Sequence, residues 1–335
     1  MTKIAILGSG SWGTALSIIL SRSPRKHEIS LWARDPARAA ALTRDRENKT
    51  YLPACAIPNT VTINENIAAA LEDSNIVISA VPSAHVRKVF AQATEHLPAD
   101  AVIVSATKGL EPETHLRLSQ VLSHLLATHS RAPIAVLSGP SFAAEAARGE
   151  PTAVVIASPS ASLSAQLQDE FAAPNFRLYT NDDLVGVELA GAMKNVIAIA
   201  AGACQGLGLG SNAVAALVTR GLAEISRLAA ALGAKPETMS GLAGLGDLVL
   251  TCTGSLSRNR QVGFDLGAGR LLPEILADMC MVAEGVGTTA PLLALAREHY
   301  VDLPITTQVD AILHHALPPR DAIRAIMERP QKRES

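Results

Sequence analysis

A chain of 335 residues is long enough to fold into two domains. Its composition, 48% hydrophobic and 18% charged, predicts a folded globular protein, and its 3% aromatic content requires a core of Ala, Leu, Val and Ile. A net charge of −2 with no long basic run makes nucleic acid an unexpected partner.

The first half of the chain alternates between strand and helix patterns. Short β-branched or apolar runs predict strands at 3–7, 28–33, 75–81, 101–106, 134–138 and 152–157, with helices at 14–21 and 86–96. Continuous apolar strands separated by helices are typical of a parallel sheet that is covered on both faces. We therefore predict an α/β domain over residues 1–180.

The chain becomes rich in Ala, Leu and Gly near residue 180. Helical periodicity predicts helices at 184–201, 213–232, 258–266, 272–279, 291–300 and 305–314, followed by a frayed polar tail over 329–335. The apolar stretch 189–209 approaches the length of a membrane span, but Lys194, Asn195, Gln205 and four glycines interrupt it. We predict a buried helix with its exit loop there, inside an all-α domain over residues 181–330.

A glycine loop follows the first strand and leads into the first helix. The segment G-S-G-S-W-G at residues 8–13 fits G-x-G-x-x-G, a weak pattern alone that the strand–loop–helix context supports. Gly8 permits a tight turn, Gly10 lets the backbone approach a pyrophosphate, and Gly13 lets the helix pack on the strand. We predict a dinucleotide site with its diphosphate at the helix N-terminus.

The segment after the second strand bears on the choice of dinucleotide. An acid about 20 residues after the loop usually binds the ribose 2′-hydroxyl of NAD, but the sequence here has Arg34 followed by Asp35. Arg34 is suited to the 2′-phosphate of NADP through charge-assisted hydrogen bonds. The alternative is a solvated arginine paired with Asp35. The sequence therefore favours NADP and leaves NAD open.

Two segments directly follow predicted strands, at the edge where open α/β sheets bind ligands. Lys108 follows the fourth strand, and the segment G-P-S-F-A with Gly139, Ser141 and Ala143 follows the fifth. A lysine at a strand end can bind an anion or polarise a carbonyl, or it is an ordinary surface lysine. The spacing alone leaves these two alternatives open.

Lys194 lies in the middle of a predicted apolar helix, with Ala190, Gly191 and Ala198 as neighbours on adjacent turns. We expect these small residues to leave space for a ligand near the ammonium. Buried lysines are rare without a partner or a purpose, and burial lowers the pKa of an ammonium towards neutrality. We therefore favour a role for Lys194 as a proton donor over the alternative, in which its ammonium extends along the apolar surface to reach water.

A glycine-rich run ends at Asp247, and Ser257, Arg258 and Asn259 follow it. The glycines indicate a close backbone approach to a ligand or to the other domain. Ser257 is the predicted N-cap of the helix that begins at Arg258, and such a helix start is suited to a phosphate. Ordinary capping with a solvated arginine is the alternative, and both remain open.

No metal motif is present in the sequence. It contains no H-E-x-x-H and no zinc-type cysteine spacing, so we predict no metal site. The G-x-S-x-G motif of serine hydrolases is absent as well. Four dispersed cysteines favour reduced thiols in a cytoplasmic protein, and the N-terminal apolar run is too short for a signal peptide. The chemistry that remains compatible with these residues is a metal-free hydride transfer assisted by a lysine.

A series of segments, in order from residue 8 to residue 286, resembles one enzyme family. The matching segments are G-S-G-S-W-G-T-A, N-K-T-Y-L-P, A-V-P-S, S-A-T-K-G-L-E, S-G-P-S-F-A-A-E, E-L-A-G-A-M-K-N-V, A-G-L-G-D-L-V-L-T-C, S-R-N-R and V-A-E-G-V. They resemble the bacterial-type NAD(P)-dependent glycerol-3-phosphate dehydrogenase family. The resemblance implies a Rossmann-type domain followed by an all-α domain of the 6-phosphogluconate dehydrogenase type. It also implies reversible reduction of dihydroxyacetone phosphate to sn-glycerol 3-phosphate, which supplies glycerophospholipid synthesis.

The resemblance further implies roles for the residues that match these motifs. Lys194 becomes the catalytic proton donor and acceptor at the substrate oxygen. The implied substrate-binding residues are Lys108, Gly139, Ser141, Lys194, Asp247, Ser257, Arg258 and Asn259. The implied cofactor-binding residues are Gly8, Gly10, Ser11, Trp12, Gly13, Arg34, Lys108, Ala143, Arg258, Val282 and Glu284.

Two other interpretations compete with this one. The first is another β-hydroxyacid or sugar dehydrogenase with the same two-domain plan. The S-R-N-R segment and a panel of substrates distinguish between that enzyme and the family named above. The second is a catalytically silent NADP-sensing regulator, against which Lys194 and Asn195 argue. The expected partners are a small phosphorylated substrate and NADP or NAD. We expect a cytoplasmic protein without an integral membrane segment, compatible with a homodimer.

Overall fold

An eight-stranded sheet forms the centre of the N-terminal domain in the computed structural model, which describes residues 1–127, 132–331 and 333. Its spatial order is β10-β9-β8-β7-β6-β1-β2-β5, and β3 with β4 forms a separate antiparallel pair. The strands are β1 (Lys3–Leu7), β2 (Glu28–Trp32), β3 (Glu47–Asn48), β4 (Leu52–Ala56), β5 (Val61–Asn64), β6 (Ile76–Ser79), β7 (Val102–Ser105), β8 (Ile134–Ser138), β9 (Thr152–Ala157) and β10 (Phe176–Asn181).

Within the eight-stranded sheet, the strands pair parallel except for β8 and β9, which run antiparallel. The predicted α/β sheet is therefore confirmed as mostly parallel, and the expectation of a wholly parallel one was wrong at this pair. All six predicted strands are present. The edge strands β5 and β10 were not predicted, because polar residues interrupt their apolar runs, V-T-I-N and F-R-L-Y-T-N.

Both faces of the sheet are buried, as the continuous apolar strands predict. In β1, Ile4 and Ile6 belong to one core cluster, whereas Ala5 and Leu7 belong to another on the opposite face. The helices of this domain are α1 (Ser11–Leu20), α2 (Pro36–Asp45), α3 (Ile67–Leu71), α4 (Val86–Ala93), α5 (Leu118–Leu126), α6 (Ala143–Arg148) and α7 (Ala161–Phe171).

The C-terminal domain is helical, as predicted, and α8 is its central helix. The helices are α8 (Leu184–Gly206), α9 (Ser211–Ala231), α10 (Pro236–Ser240), α11 (Asp247–Thr253), α12 (Arg258–Gly267), α13 (Leu272–Asp278), α14 (Glu284–Glu298), α15 (Pro304–His314) and α16 (Pro319–Met327). By length and composition α8 is the one described helix that could cross a membrane, and 89% of its apolar window is buried inside the protein. A buried core helix has the same composition, so the predicted burial is confirmed.

The C-terminal end of α8 differs from its prediction. We expected the helix to end at residue 201 and an exit loop to begin at the glycines, but it continues to Gly206. A side chain at Gly202 would lie 1.9 Å from the Arg260 carbonyl oxygen, and one at Gly263 would lie 1.9 Å from the Ile199 carbonyl oxygen. These glycines allow α8 and α12 to pack backbone against backbone, which offsets their poor helix propensity.

Three other helices correct the sequence analysis. The helix predicted at 291–300 begins instead at Glu284, because Pro291 is buried within it and packing outweighs its missing N–H. α11 and α16 were not predicted. The predicted polar tail falls partly on residues 332, 334 and 335, which lie outside the described residues.

A buried ion pair joins the two domains. Glu188 of α8 accepts hydrogen bonds from Arg117 Nη1 (2.6 Å), from Ser119 N (2.8 Å) and from Ser119 Oγ (2.5 Å). Its carboxylate thereby caps the start of α5, which belongs to the sheet domain. This contact fixes the helix that carries Lys194 against the sheet.

Candidate functional site

The glycine loop between β1 and α1 has the three local environments that its pattern predicts. Gly8 has φ of +119°, which a side chain rarely adopts. A Cβ at Gly13 would lie 1.8 Å from the Gly8 carbonyl oxygen, so only glycine fits there, whereas a Cβ at Gly10 would meet open space. Gly10 is also the N-cap of α1 and has no side chain to satisfy the helix N–H groups. The open side of this helix start therefore fits an anionic diphosphate.

A segment from the β3–β4 pair is fixed to the glycine loop. Ser11 donates a hydrogen bond to the Tyr51 carbonyl oxygen (2.6 Å), and the buried Asn48 amide donates to the Ser9 carbonyl oxygen (2.9 Å). Trp12 is half-buried and packs against the core of the sheet domain. The N-K-T-Y-L-P segment thus forms one wall beside the proposed cofactor loop.

Arg34 lies just past the end of β2, on the surface. Within the described chain it has neither a hydrogen bond nor an ion pair, so the predicted alternative of pairing with Asp35 is wrong. Asp35 instead caps α2 by accepting a hydrogen bond from the Ala37 amide (3.0 Å). Among the described residues, Arg34 therefore has no polar contact with another predicted site residue.

Lys194 is buried in the middle of α8, with 6% of its surface exposed. Burial is the main cause that lowers the pKa of Lys194 to about 7, and the Lys108 ammonium lowers it further. The neighbouring Asp247 carboxylate opposes both effects and raises it. The sequence predicted both burial and a pKa near neutrality. A lysine with this pKa can donate a proton as the ammonium and accept one as the neutral amine near physiological pH.

Asp247 joins the two lysines. Its Oδ1 accepts a hydrogen bond from Lys194 Nζ (2.5 Å) and its Oδ2 accepts one from Lys108 Nζ (2.6 Å). Lys108 also donates to the Gly139 carbonyl oxygen (3.1 Å), and Lys194 donates to Thr251 Oγ1 (2.8 Å). Asp247 is 1% exposed, so its charge is compensated by these ammonium groups rather than by water. Segments from both domains thus meet in one charged cluster.

Thr251 was not among the predicted site residues. It lies four residues after Asp247 in α11, and residues at this spacing share one helix face. The spacing is a usable signal only once α11 has been assigned as a helix.

Gly191, one of the small residues beside Lys194, lies against side chains of the sheet domain. A Cβ at Gly191 would lie 3.0 Å from Ser138 Oγ and 3.6 Å from Cγ of Lys108. The space at this position is therefore filled by the side chains that follow β7 and end β8. The absence of a side chain at Gly191 leaves room for Ser138 and for the stem of Lys108, whose ammonium reaches Asp247.

The segment after β8 runs between the two domains. Gly139 has φ of +134°, and Ser141 donates a hydrogen bond to its carbonyl oxygen (3.0 Å). Ala143 is the first residue of α6. The Phe142 ring packs so closely on Gly254 that a Cβ there would lie 2.4 Å from it. This contact sets Ser141 against the segment that precedes α12.

The start of α12 is capped as predicted. Ser257 accepts a hydrogen bond from the Arg260 amide (3.2 Å), which confirms it as the N-cap. Arg258 is exposed and donates to the Val282 carbonyl oxygen (2.7 Å). Arg260 is instead engaged within its own domain, donating to Gln205 Oε1 (2.5 Å). Among these arginines, Arg258 is therefore the one with surface left for a ligand.

Amide side chains connect α12 to α8 and α14. Asn259 donates to Asn195 Oδ1 (3.0 Å) and accepts from the Gly285 amide (2.9 Å). Asn195 directly follows Lys194, and it too was missing from the predicted site residues. The chain of bonds fixes the α12 start relative to the helix that bears Lys194.

Glu284 links the helical domain to the segment after β6. It accepts a hydrogen bond from Ser83 Oγ (2.7 Å). Burial raises the pKa of Glu284, while Ser83 and Arg258 lower it. Val282, two residues earlier, is exposed. The loops that follow β1, β6, β7 and β8 thus lie at the carboxyl edge of the sheet, facing α8, α12 and α14.

No metal cluster is found within residues 1–127, 132–331 and 333, where no group of three His, Cys, Asp or Glu side chains is close enough to hold an ion. The four cysteines are unpaired, and Cys280 is the exposed one. The open space at Gly10 and the uncapped start of α1 fit a dinucleotide cofactor.

Comparisons with known proteins identify the family. The models of the N-terminal and C-terminal domains of NAD-dependent glycerol-3-phosphate dehydrogenase match residues 3–164 and 183–324. The chain is 53% identical to the glycerol-3-phosphate dehydrogenase [NAD(P)+] of Koribacter versatilis, covering 100% of this chain and 99% of that one. It is 50% identical to that of Acidobacterium capsulatum, covering 100% of both. The crystal structure of glycerol-3-phosphate dehydrogenase from Coxiella burnetii has a TM-score of 0.93 at 41% identity, covering 98% of this chain and 99% of that one. The chain therefore belongs to the NAD-dependent glycerol-3-phosphate dehydrogenase family.

Proposed function

We propose that this chain reversibly reduces dihydroxyacetone phosphate to sn-glycerol 3-phosphate with NAD(P)H. The observation that carries the proposal is the cluster of Lys108, Asp247 and Lys194, which brings a proton donor with a pKa of about 7 to the carboxyl edge of the sheet. Family membership supports the same reaction. Residues 1–180 would bind the dinucleotide and residues 181–330 the substrate.

Lys194 donates the proton in the proposed reduction. A bound dinucleotide would supply the hydride for the carbonyl carbon. Lys194 would protonate the oxygen as negative charge develops on it. In the reverse direction neutral Lys194 accepts the proton of the hydroxyl group. A pKa near 7 serves both directions, because both protonation states are populated at neutral pH.

Asp247 and Lys108 position this lysine in the proposal. The two hydrogen bonds of the buried Asp247 carboxylate hold the ammonium groups at a fixed separation. Lys108 and the Gly139 and Ser141 segment then contact the substrate from the sheet side. Because these groups are ordered before the substrate binds, little reorganisation is needed during the reaction.

The start of α12 binds the substrate phosphate in this proposal. Ser257, Arg258 and Asn259 present a hydroxyl, a guanidinium and an amide at the positive end of a helix. Arg258 offers the fixed cationic fork that suits phosphate oxygens. The energy of binding the phosphate is used to orient the carbonyl.

The cellular setting is proposed as well. A chain that makes sn-glycerol 3-phosphate would supply glycerophospholipid synthesis, and we place it in the cytoplasm as a homodimer. The cofactor would contact Gly8, Gly10, Ser11, Trp12, Gly13, Arg34, Lys108, Ala143, Arg258, Val282 and Glu284.

The test measures oxidation of NADPH with dihydroxyacetone phosphate. Wild-type protein turns over, and Lys194→Ala lowers kcat by about 10²- to 10⁴-fold while cofactor binding stays near normal. The matched control is Lys235→Ala, since Lys235 is an exposed lysine paired with Asp182. Nearly full activity in Lys194→Ala would remove the assignment, and a silent regulator would show no turnover at all.

A second measurement tests the phosphate site. Arg258→Ala is assayed against dihydroxyacetone phosphate and unphosphorylated dihydroxyacetone. We expect the variant and the truncated substrate to be strongly non-additive in kcat/KM, because both delete one interaction. If the variant loses as much activity on both substrates, Arg258 does not bind the phosphate.

A further inference from the structure

Two arginines lie near the adenosine end of the proposed cofactor site. We propose that Arg38 binds the 2′-phosphate of NADP(H) together with Arg34, and that this pair makes the chain prefer NADP(H) to NAD(H). The inference rests on the proposed cofactor site and names the residue that sets its specificity.

The position of Arg38 follows from its contact with Tyr51. Tyr51 is fixed to the glycine loop, because Ser11 Oγ donates to its carbonyl oxygen (2.6 Å) and Asn48 Oδ1 accepts from its amide (3.2 Å). The guanidinium carbon of Arg38 lies 4.4 Å from the centre of the Tyr51 ring. Arg38 is therefore held beside the loop that fits the diphosphate.

Stacking on the ring gives Arg38 a defined orientation. The residue is half-buried in the first turn of α2, directly after the strand end where Arg34 emerges. A guanidinium in contact with an aromatic face keeps its N–H groups free in its own plane. Such a preordered fork loses little conformational freedom when it binds a phosphate.

The acidic side chains at 35, 45 and 47, which flank the two arginines in the sequence, are already engaged. Asp35 caps α2, Asp45 pairs with Arg44 (2.7 Å) and Lys49 (3.0 Å), and Glu47 accepts from the Ala54 amide (2.8 Å). Within the described chain, neither Arg34 nor Arg38 has a carboxylate partner. A ribose 2′-hydroxyl is neutral and is typically bound by a free acid, whereas a phosphate monoester carries about −1.5 to −2 charges at neutral pH. Two unpaired guanidiniums match the phosphate.

The experiment compares both cofactors in wild type and Arg38→Ala. Dissociation constants for NADPH and NADH are measured by fluorescence titration, alongside KM values with dihydroxyacetone phosphate. We expect Arg38→Ala to weaken NADPH about tenfold or more and NADH less than about threefold. Tyr51→Leu removes the ring that orients Arg38 and should reduce the preference by about 2- to 5-fold. Arg44→Ala is the matched control on the same helix and should leave the preference unchanged.

Equal weakening of both cofactors in Arg38→Ala would overturn the inference, since Arg38 would then contact the adenine or the diphosphate. Unchanged binding of both cofactors would overturn it as well.

A separate binding assay compares adenosine 2′,5′-bisphosphate with adenosine 5′-monophosphate and needs no turnover. Selective binding of the bisphosphate without turnover of dihydroxyacetone phosphate would remove the proposed function and leave the inference standing. Turnover of dihydroxyacetone phosphate without discrimination between the cofactors would remove the inference and leave the proposed function standing.

Discussion

The carboxylate of Asp247 should control the pH dependence of the reaction through Lys194. The Asp247→Asn variant keeps the shape of the side chain but removes the charge that raises the pKa of Lys194 against its burial. A hydrogen bond to a charged group is worth about 1.5–3 kcal/mol, and one pKa unit corresponds to about 1.36 kcal/mol. The pKa of Lys194 should therefore fall by about one to two units from its value of about 7.

The sign of the effect follows from the direction of the reaction. In the proposed mechanism, reduction needs protonated Lys194, so its rate should fall as pH rises through the pKa of that residue. In Asp247→Asn the fall occurs at lower pH, and the protonated fraction at pH 7 drops from about one half to about 1–10%. We expect about 5- to 50-fold less reduction at pH 7, with recovery towards acidic pH. Oxidation of glycerol 3-phosphate needs neutral Lys194, so its onset should move to lower pH as well.

The assay measures kcat/KM for reduction between about pH 5 and about pH 9 in wild type and in the variant. Asp183→Asn is the matched control, because Asp183 is a buried aspartate that caps the start of α8 without contacting Lys194. The control should lose stability but keep the wild-type inflection. An Asp247→Asn enzyme whose inflection stays at the wild-type pH would refute the reasoning.

Three further predictions test neighbouring parts of the structure. Lys108→Met removes a positive charge that lowers the pKa of the buried lysine, so the inflection in the pH profile of reduction should move to higher pH, opposite to the aspartate variant. Gly10→Ala should fold with unchanged thermal stability yet raise KM for the cofactor, whereas Gly13→Ala should lower the melting temperature by several degrees, because its Cβ has no space. Glu188→Gln should lower the free energy of unfolding in urea by about 3–5 kcal/mol, whereas Glu150→Gln in an exposed pair should change it by less than about 1 kcal/mol.

The features predicted from sequence are those that local backbone chemistry determines. The glycine loop was found because Gly8 and Gly13 each meet a steric limit that only glycine satisfies, and such limits appear directly in the sequence. Ser257 was found because an N-cap is defined by its own helix start. The burial of Lys194 was found because apolar residues flank it on every turn of α8.

The features that were missed depend on distant segments. The sharing of Asp247 by Lys108 and Lys194 joins the segment after β7 with α8 and α11. No local pattern encodes that meeting, and it was expected only from the family resemblance, in which Asp247 and Lys108 hold Lys194 in place. The glycines before Asp247 predicted a close backbone approach to a ligand or to the other domain, but a Cβ at Gly244 would lie 2.3 Å from the carbonyl oxygen of Met239, which belongs to α10 of the same domain. The direction of β9 was missed for the same reason, because an apolar strand has the same composition in either orientation.

The charge of the cluster links substrate binding to the state of the proton donor. With Lys194 protonated, two ammoniums and one carboxylate leave one net positive charge, which favours an anionic substrate. Only 6% of Lys194 is exposed, so closing the site over the substrate adds little further desolvation. The charge of the bound phosphate should therefore dominate the change in the pKa of Lys194. One negative charge at about 6 Å with an effective dielectric constant of about 20 is worth about 2.8 kcal/mol, or about two pKa units.

The inflection in the pH profile of kcat should therefore lie at higher pH than that of kcat/KM, by about one unit or more. With unphosphorylated dihydroxyacetone, which brings no charge, the two inflections should nearly coincide. If the phosphorylated substrate also leaves them together, the phosphate does not keep Lys194 protonated, and the cluster acts only through geometry.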